Sequence, residues 1–124
     1  MIVVLMLAST ALADCSRAYT TIEINECLSA NQRSAEVALT AAYARAITIA
    51  RESDSELDRS HDKRIGYRDA LIRAERAWIA YRDAHCVTMS YTMRGGSGEG
   101  TAAAVCRLEL TELRIKQLRE LGNN

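Results

Sequence analysis

No proline interrupts the chain at any of its 124 positions. Proline breaks helices and is common in loops, so its absence favours long, uninterrupted helices. Aromatic side chains are scarce too, with five Tyr, one Trp and no Phe, which leaves little material for a β-sandwich core. A chain of this length forms one domain. We therefore predict a single all-α domain.

Composition excludes two further classes of protein. At 48% hydrophobic and 26% charged residues, the chain is not a disordered tail. Its 16 acidic and 16 basic side chains cancel, whereas a dedicated nucleic-acid binder carries a basic excess. The cancellation hides an asymmetry, because residues 14–62 carry nine acids and five bases and residues 63–124 carry seven acids and eleven bases. Either half could therefore steer a charged partner.

The first residues are typical of a secretory signal peptide. Ile2–Ala8 is a short apolar run, and Ala11-Leu12-Ala13 has the small-x-small pattern of a cleavage site, so residues 1–13 are the predicted signal peptide. The apolar run falls short of the ~20 residues that a membrane span needs. Residues 12–15 also resemble a lipobox, but Asp14 stands where a small residue is expected, so we expect no lipid on Cys15. The mature chain, residues 14–124, is predicted to be periplasmic or secreted.

Helix formers and breakers divide the mature chain into three helices. The predicted spans are Thr20 to about Arg51, Asp62 to Met93, and Thr101 to Leu121 with Gly122 as the C-cap. The first begins with a capping box, in which the Thr20 hydroxyl accepts a backbone N–H and Glu23 reaches back. An acidic segment, Glu52–Asp62, and a glycine-rich segment, Gly95–Gly100, connect the helices. We expect an antiparallel three-helix bundle, or a helical hairpin with an additional N-terminal helix.

Apolar residues at helical spacing predict which face of each helix is buried. In the second helix a residue recurs every seven positions, which predicts a seam against another helix, within the bundle or in a dimer. The members of this recurrence are Ile65, Ile72, Ile79, Cys86 and Met93. The first helix offers a stripe that includes Leu28, Val37 or Ala38, Ala42 and Ala46, and the third offers Val105, Leu108, Ile115 and Leu118.

An exported chain with four cysteines is expected to form disulfides. The absence of a Cys-x-x-Cys motif argues against zinc and thioredoxin-type redox sites. Cys86 precedes the predicted end of the second helix by about as many residues as Cys106 follows the start of the third, so antiparallel helices bring them level. We predict Cys86–Cys106 and a local Cys15–Cys27 pair, which together staple the bundle. All four lie at one end of such a bundle, so crossed pairing stays geometrically possible.

Charged residues on the apolar face of the second helix predict a structural polar core. Glu75 and Arg82 fall between the seam and the Trp78 side, so they must be paired or reach solvent. Glu23 and Glu26 are the candidate partners of Arg82. We favour a structural role over a binding site, with an ion pair that fixes the helix register. The predicted polar core consists of Glu23, Glu75 and Arg82.

Catalytic and cofactor chemistry is not supported by the residue pattern. His61 and His85 are far apart in sequence, and a disulfide-bonded Cys86 beside His85 is not a nucleophile. The carboxylates lack the spacing of a Ca²⁺ loop, and Gly95–Gly100 lacks the ending of a phosphate-binding loop. We therefore predict a protein that is not an enzyme and that carries no cofactor and no metal.

Several stretches together resemble a known family. They are Thr-Ile-Glu-Ile-Asn-Glu-Cys at 21–27, Leu39 with Tyr43, Glu-Arg-Ala-Trp-Ile-Ala-Tyr-Arg-Asp-Ala-His-Cys at 75–86, Gly-Gly-Ser at 95–97, and Cys106 followed by Thr111 and Arg114. Over essentially the whole mature chain this pattern is similar to the LprI-type, lysozyme-inhibitor-like family. The chain departs from it at Thr40, Glu75 and His85, where the family often has Asn, Gln and Glu. The resemblance implies a small helical, disulfide-bonded protein of the bacterial cell envelope that inhibits a lysozyme by blocking its cleft and so protects peptidoglycan.

Two surfaces are candidates for that contact. The first is the loop between the second and third helices, whose Arg94 could meet the acidic catalytic cleft of a glycosidase; its residues are Arg94, Gly95, Gly96, Ser97 and Glu99. The second is an acidic patch that could attract a cationic lysozyme, formed by Glu52, Asp54, Glu56 and Asp58. The alternative function is an interaction or structural module that docks on another envelope protein and has no lysozyme activity.

Overall fold

The computed structural model describes residues 12–122, which fold into three long helices. They are α1 (Thr21–Glu56), α2 (Tyr67–Ser90) and α3 (Glu99–Leu121), with short 3₁₀ helices at Cys15–Arg17 and Tyr91–Met93. This part of the chain contains no strand, which confirms the all-α prediction. The predicted signal peptide lies outside the described residues except for Leu12 and Ala13, and it stays a prediction.

The helices form the predicted antiparallel bundle. At one end, the Thr101 hydroxyl of α3 donates a hydrogen bond to Asn25 of α1 at 2.8 Å; at the other, Gly122 lies beside Ile49. Helices α1 and α3 are therefore parallel, and α2 runs against both. The end that holds the first turn of α1, the last turn of α2 and the first turn of α3 is called the disulfide end below.

Both predicted disulfides form. The Cα atoms are 5.8 Å apart in Cys15–Cys27 and 5.5 Å apart in Cys86–Cys106. The first ties the N-terminal segment to α1, and the second joins α2 to α3 just below their connection. Because the Sγ atom of Cys15 is bonded to Cys27, it cannot at the same time carry the thioether of a lipid anchor. The pairing thus agrees with the expectation that Cys15 is not lipidated.

Small side chains on α1 form one wall of the core. Within the chain that the structure describes, the buried cluster consists of Ala35, Leu39, Ala42, Ala46 and Ala50 from α1, Leu71 from α2, and Ile115 and Leu118 from α3. Alanine has little side-chain volume, so α2 and α3 can pack closely against α1. Trp78 and Tyr43 are partly buried at the edge of this cluster.

The predicted seven-residue seam of α2 does not pack within the bundle, and its alternative role in a dimer stays a prediction. Ile65, Ile79 and Met93 are all exposed, and Cys86 is the member of the recurrence that is fully buried. The buried residues of α2 are instead Leu71, Glu75, Arg82, Cys86 and Ser90. The helix is rotated from the predicted orientation because Glu75 and Arg82 face ion-pair partners on α3 and α1. Val37 of α1 is likewise exposed, and Ala38 packs on the core in its place.

The connection between α1 and α2 lies later than predicted. Helix α1 continues through the serine-containing segment to Glu56, and α2 begins at Tyr67 rather than at Asp62. The Asp54 carboxylate accepts hydrogen bonds from the backbone N–H groups of Tyr67 at 2.7 Å and Arg68 at 3.0 Å. Free N–H groups at a helix start need such acceptors, so Asp54 of α1 determines where α2 begins.

Candidate functional site

Arg82 lies at the centre of a buried polar cluster that joins all three helices. Arg82 is 6% exposed. Its Nη1 atom donates hydrogen bonds to Glu36 Oε1 at 2.9 Å and to Thr111 Oγ1 at 3.3 Å. Its Nε donates to Asp83 Oδ1 at 3.1 Å. The predicted partners Glu23 and Glu26 are therefore wrong, because Glu36, farther along α1, is the carboxylate that lies level with Arg82.

The same cluster satisfies the groups around Arg82. Gln32 Nε2 donates to Glu36 Oε1 at 2.7 Å and to Thr111 Oγ1 at 3.3 Å. Thr111 is 0% exposed, and its hydroxyl donates to the Arg107 carbonyl at 2.7 Å. We call Gln32, Glu36, Arg82 and Thr111 the Arg82 cluster. The donors named here have acceptors, as the low-dielectric interior requires, whereas Gln32 Oε1 is buried without a hydrogen-bond partner among the described residues.

Glu75 forms a second interhelical ion pair one turn away from Trp78. Arg114 Nε donates to Glu75 Oε2 at 2.9 Å, and both side chains are almost completely buried. The guanidinium carbon of Arg82 lies 5.0 Å from the Trp78 ring centroid, and that of Arg114 lies 5.9 Å from it. Trp78 therefore packs against both cations, a favourable arrangement for an indole ring. These groups face inward and hold the helices together.

Glu23 does not belong to this interior network. It is exposed on the first turn of α1, where its carboxylate accepts the backbone N–H groups of Tyr19 at 2.9 Å and Thr20 at 3.2 Å. In return, the Thr20 hydroxyl accepts the Glu23 N–H at 3.1 Å, which completes the predicted capping box. The hydrogen bonds from Tyr19 and then Thr20 hold the pKa of Glu23 below its ordinary value. Its role is to cap α1.

The predicted contact loop forms an exposed turn at the disulfide end. This glycine turn, residues 91–98, places the Arg94 guanidinium over the Tyr91 ring at 4.4 Å from its centroid. Gly95 has φ +80°, a left-handed conformation that side chains disfavour, and its N–H donates to Glu99 Oε2 at 3.1 Å. Glu99 thus belongs to the first turn of α3 and supports the glycine turn from below.

An apolar groove of about 580 Å³ opens beside the glycine turn. The walls come from the first turns of α1, the end of α2, the turn itself and the start of α3. Ile24, Met89, Met93, Val105 and Leu110 supply apolar lining, and Glu109 is a charged residue within it. This groove was not predicted from the sequence. The available signal was the pair Met89 and Met93, one helical turn apart and next to the glycines.

The predicted acidic patch lies at the opposite end of the bundle, and its carboxylates differ in what they bind. Asp54 caps α2, and Asp58 accepts the backbone N–H and hydroxyl of Ser60 at 2.9 and 2.6 Å. The Ser60 hydrogen bonds lower the pKa of Asp58. Residues 51–68 contain five acids and five bases, so this segment carries no formal net charge. Glu52 and Glu56 are exposed.

In residues 12–122 we find no assembled metal site and no assembled nucleophilic site. This range has no group of three or more His, Cys, Asp or Glu side chains that could hold a metal ion. His85 stacks on Tyr81 with 5.3 Å between ring centroids, and its neighbour Cys86 is oxidised. Nor does any helix in the same range combine the length and hydropathy needed to cross a membrane.

Comparison with known proteins identifies a related family. The family model described as "Lysozyme inhibitor LprI" matches residues 13–118. An uncharacterized protein of Rhizobium meliloti (strain 1021) is 34% identical over 108 residues, which cover 87% of this chain and 78% of that relative. No solved structure shows a significant match to the chain.

Proposed function

Because the chain belongs to the lysozyme inhibitor LprI family, we propose that it is an exported, non-catalytic protein that binds a lysozyme and blocks its catalytic cleft. The observation that carries the proposal is the family match, which covers residues 13–118 and so nearly the whole described chain. Two disulfides support a location outside the reducing cytoplasm. Blocking the enzyme there would protect peptidoglycan.

The glycine turn and the neighbouring groove are the proposed contact surface. Arg94 and Ser97 are exposed at the tip of the turn, and Cys86–Cys106 closes the chain behind them. A turn fixed in this way loses little conformational freedom when it binds, which favours affinity. The adjacent groove adds an apolar pocket that a side chain from the partner's cleft rim could fill.

Charge favours this surface for entry into a glycosidase cleft. The cleft of such an enzyme holds a pair of carboxyl groups. A guanidinium group such as that of Arg94 is planar and cationic, and it binds carboxylates in a bidentate manner. Its stacking on Tyr91 holds it at the surface of the turn rather than in the core. An arginine presented in this way can occupy the position between the two carboxyl groups.

The acidic patch is a weaker candidate for the contact. Asp54 and Asp58 already accept hydrogen bonds within the protein, and the five basic residues nearby offset the field of the five acidic ones. Long-range attraction of a cationic lysozyme depends on net charge, which is zero over residues 51–68. Glu52 and Glu56 are the exposed carboxylates through which this alternative can be tested.

The test is a cell-wall lysis assay with the oxidised protein titrated against animal-type, goose-type and invertebrate-type lysozymes. We expect inhibition of at least one type at or below micromolar concentration. If none of the three lysozyme types is inhibited, the proposal is overturned, and an interaction module that docks on another envelope protein is favoured. Binding to lysozyme without inhibition would overturn the blocking of the cleft.

Matched variants separate the two surfaces. Arg94→Ala should weaken inhibition at least ~10-fold, as expected for an arginine that becomes buried in the complex. Arg73→Ala, at an exposed position on the outer face of α2, removes the same charge elsewhere and should leave inhibition unchanged. The pair Glu52→Lys and Glu56→Lys reverses the exposed patch and keeps Asp54. If this pair weakens inhibition and Arg94→Ala does not, the contact lies at the opposite end.

A further inference from the structure

The buried amide of Asn31 binds the backbone of Ala13. Asn31 is 5% exposed, and its Oδ1 accepts the Ala13 N–H at 2.8 Å. Its Nδ2 donates to the Ala13 carbonyl at 2.8 Å and lies 3.4 Å from Cys15 Sγ. Both ends of this side-chain amide are therefore satisfied by the backbone of one residue, which precedes the Cys15–Cys27 disulfide.

This contact conflicts with cleavage after Ala13. Such a cut removes the N–H and the carbonyl of Ala13 together, and leaves a sulfur atom as the remaining described partner of the Asn31 amide. The cut would therefore exchange two protein hydrogen bonds of this side chain for contacts with water, which costs folding free energy. Residues 11–13 therefore fit the small-x-small pattern of a cleavage site, but a cut after Ala13 would remove a residue that the folded domain binds.

We propose that the mature protein keeps Ala13, with Asn31 as the residue that seats its N-terminal segment, and that the export peptidase cuts after Ala11. Ser9 and Ala11 provide small residues with the same spacing two positions upstream. Hydrolysis adds one water across the bond between residues 11 and 12, leaving a carboxylate on Ala11 and an α-amino group on Leu12. This inference uses the export in the proposed function and is independent of lysozyme binding.

The first experiment measures the intact mass and N-terminal sequence of the exported protein, produced from the full-length chain in a bacterial host. We expect a chain that begins at Leu12, with two disulfides and no lipid. A chain that begins at Asp14, a lipidated Cys15 or an uncleaved Met1 overturns the inference. None of these outcomes depends on whether the protein inhibits a lysozyme.

The second experiment measures the coupling between Ala13 and Asn31. Chains that begin at Leu12 and at Asp14 are each compared with and without Asn31→Ala by urea denaturation. In the longer chain we expect Asn31→Ala to lower the folding equilibrium constant on the order of tenfold, the effect of losing two hydrogen bonds. In the shorter chain the effect should be several-fold smaller, because those bonds are already lost.

Two further variants serve as controls for this comparison of the two chains. Asn31→Asp preserves the size of the side chain and the acceptor for the Ala13 N–H, and removes the donor to the Ala13 carbonyl. It should show part of the same coupling even if Asn31→Ala does not fold. Ser34→Ala, at an exposed site on the same helix, should affect the two chains equally. Equal effects of Asn31→Asp on both chains would overturn the role of Asn31.

Discussion

The Asp54 carboxylate occupies the space where Gly66 would carry a side chain. A Cβ atom at Gly66 would lie 2.5 Å from Asp54 Oδ1, well inside van der Waals contact. The absence of a Cβ lets the carboxylate reach the first N–H groups of α2 at Tyr67 and Arg68. The last turn of α1 and the start of α2 are thus joined by a cap that crosses the connection between them.

This cap predicts that Asp54→Ala destabilises the protein by about 1 kcal/mol, the usual cost of losing an N-cap. Gly66→Ala should also destabilise it, because the new methyl group displaces the carboxylate. In the Asp54→Ala background, Gly66→Ala should cost less, since the clash is gone. Urea denaturation of the four proteins measures this coupling. Additive costs would contradict a direct clash between the two positions.

The Glu75–Arg114 pair predicts a larger effect from single than from double substitution. Glu75→Leu leaves Arg114 buried without its carboxylate, so we expect a loss of about 3 kcal/mol in unfolding free energy. Glu75→Leu with Arg114→Met removes both charges and should recover most of that loss. Chemical denaturation provides the measurement. As a control, Asp69→Asn at the exposed Arg68–Asp69 pair should change stability little.

Removing the Cys86–Cys106 disulfide should reduce both stability and inhibition. Replacing both cysteines by alanine frees a loop with a sequence separation of 20, which predicts a loss of about 3 kcal/mol. Lysozyme inhibition, measured where the variant is still folded, should weaken because the glycine turn is less constrained. The matched Cys15–Cys27 variant should lose similar stability but retain inhibition. Equal loss of inhibition in both variants would contradict the proposed contact surface.

The capping carboxylate of Glu23 predicts a loss of stability in acid. Its pKa is lower in the folded protein than its ordinary value of 4.5, because the Tyr19 and Thr20 N–H groups bind its charged form. Its stabilisation is therefore complete above pH 4.5 and is lost as the pH falls through the lowered folded-state pKa. Glu23→Gln should make the melting temperature less dependent on pH in this range. If the melting temperature of Glu23→Gln depends on pH as that of the unaltered protein does, Glu23 is not the source of the acid sensitivity.

Local and near-neighbour features of the fold could be predicted from the sequence. The capping box at Thr20 depends on residues three apart in the chain, and the helix that follows is built from strong helix formers. The Cys86–Cys106 bridge depends on one hairpin with a short connection, so counting residues from the turn was sufficient. These interactions do not require knowledge of how α1 packs.

Interactions that depend on helix rotation and on the register of α1 could not be predicted in the same way. Apolar periodicity favoured the isoleucine seam, but the pairing of Glu75 and Arg82 with other helices outweighed it and rotated α2. Glu36 was missed because its proximity to Arg82 follows from the length of α1, whose end was placed too early. The spacing of Gln32 and Glu36, one helical turn apart beside the apolar face, was the available signal.

The position of Trp78 makes it an intrinsic fluorescent probe of the bundle. It is the only tryptophan in the chain, and its indole contacts the guanidinium groups of Arg82 on α2 and Arg114 on α3. Arg82 in turn binds Glu36 of α1, so separation of any helix changes the surroundings of this one fluorophore. Its emission spectrum can therefore follow the assembly of all three helices without an added dye, with unfolding seen as a shift to longer wavelength.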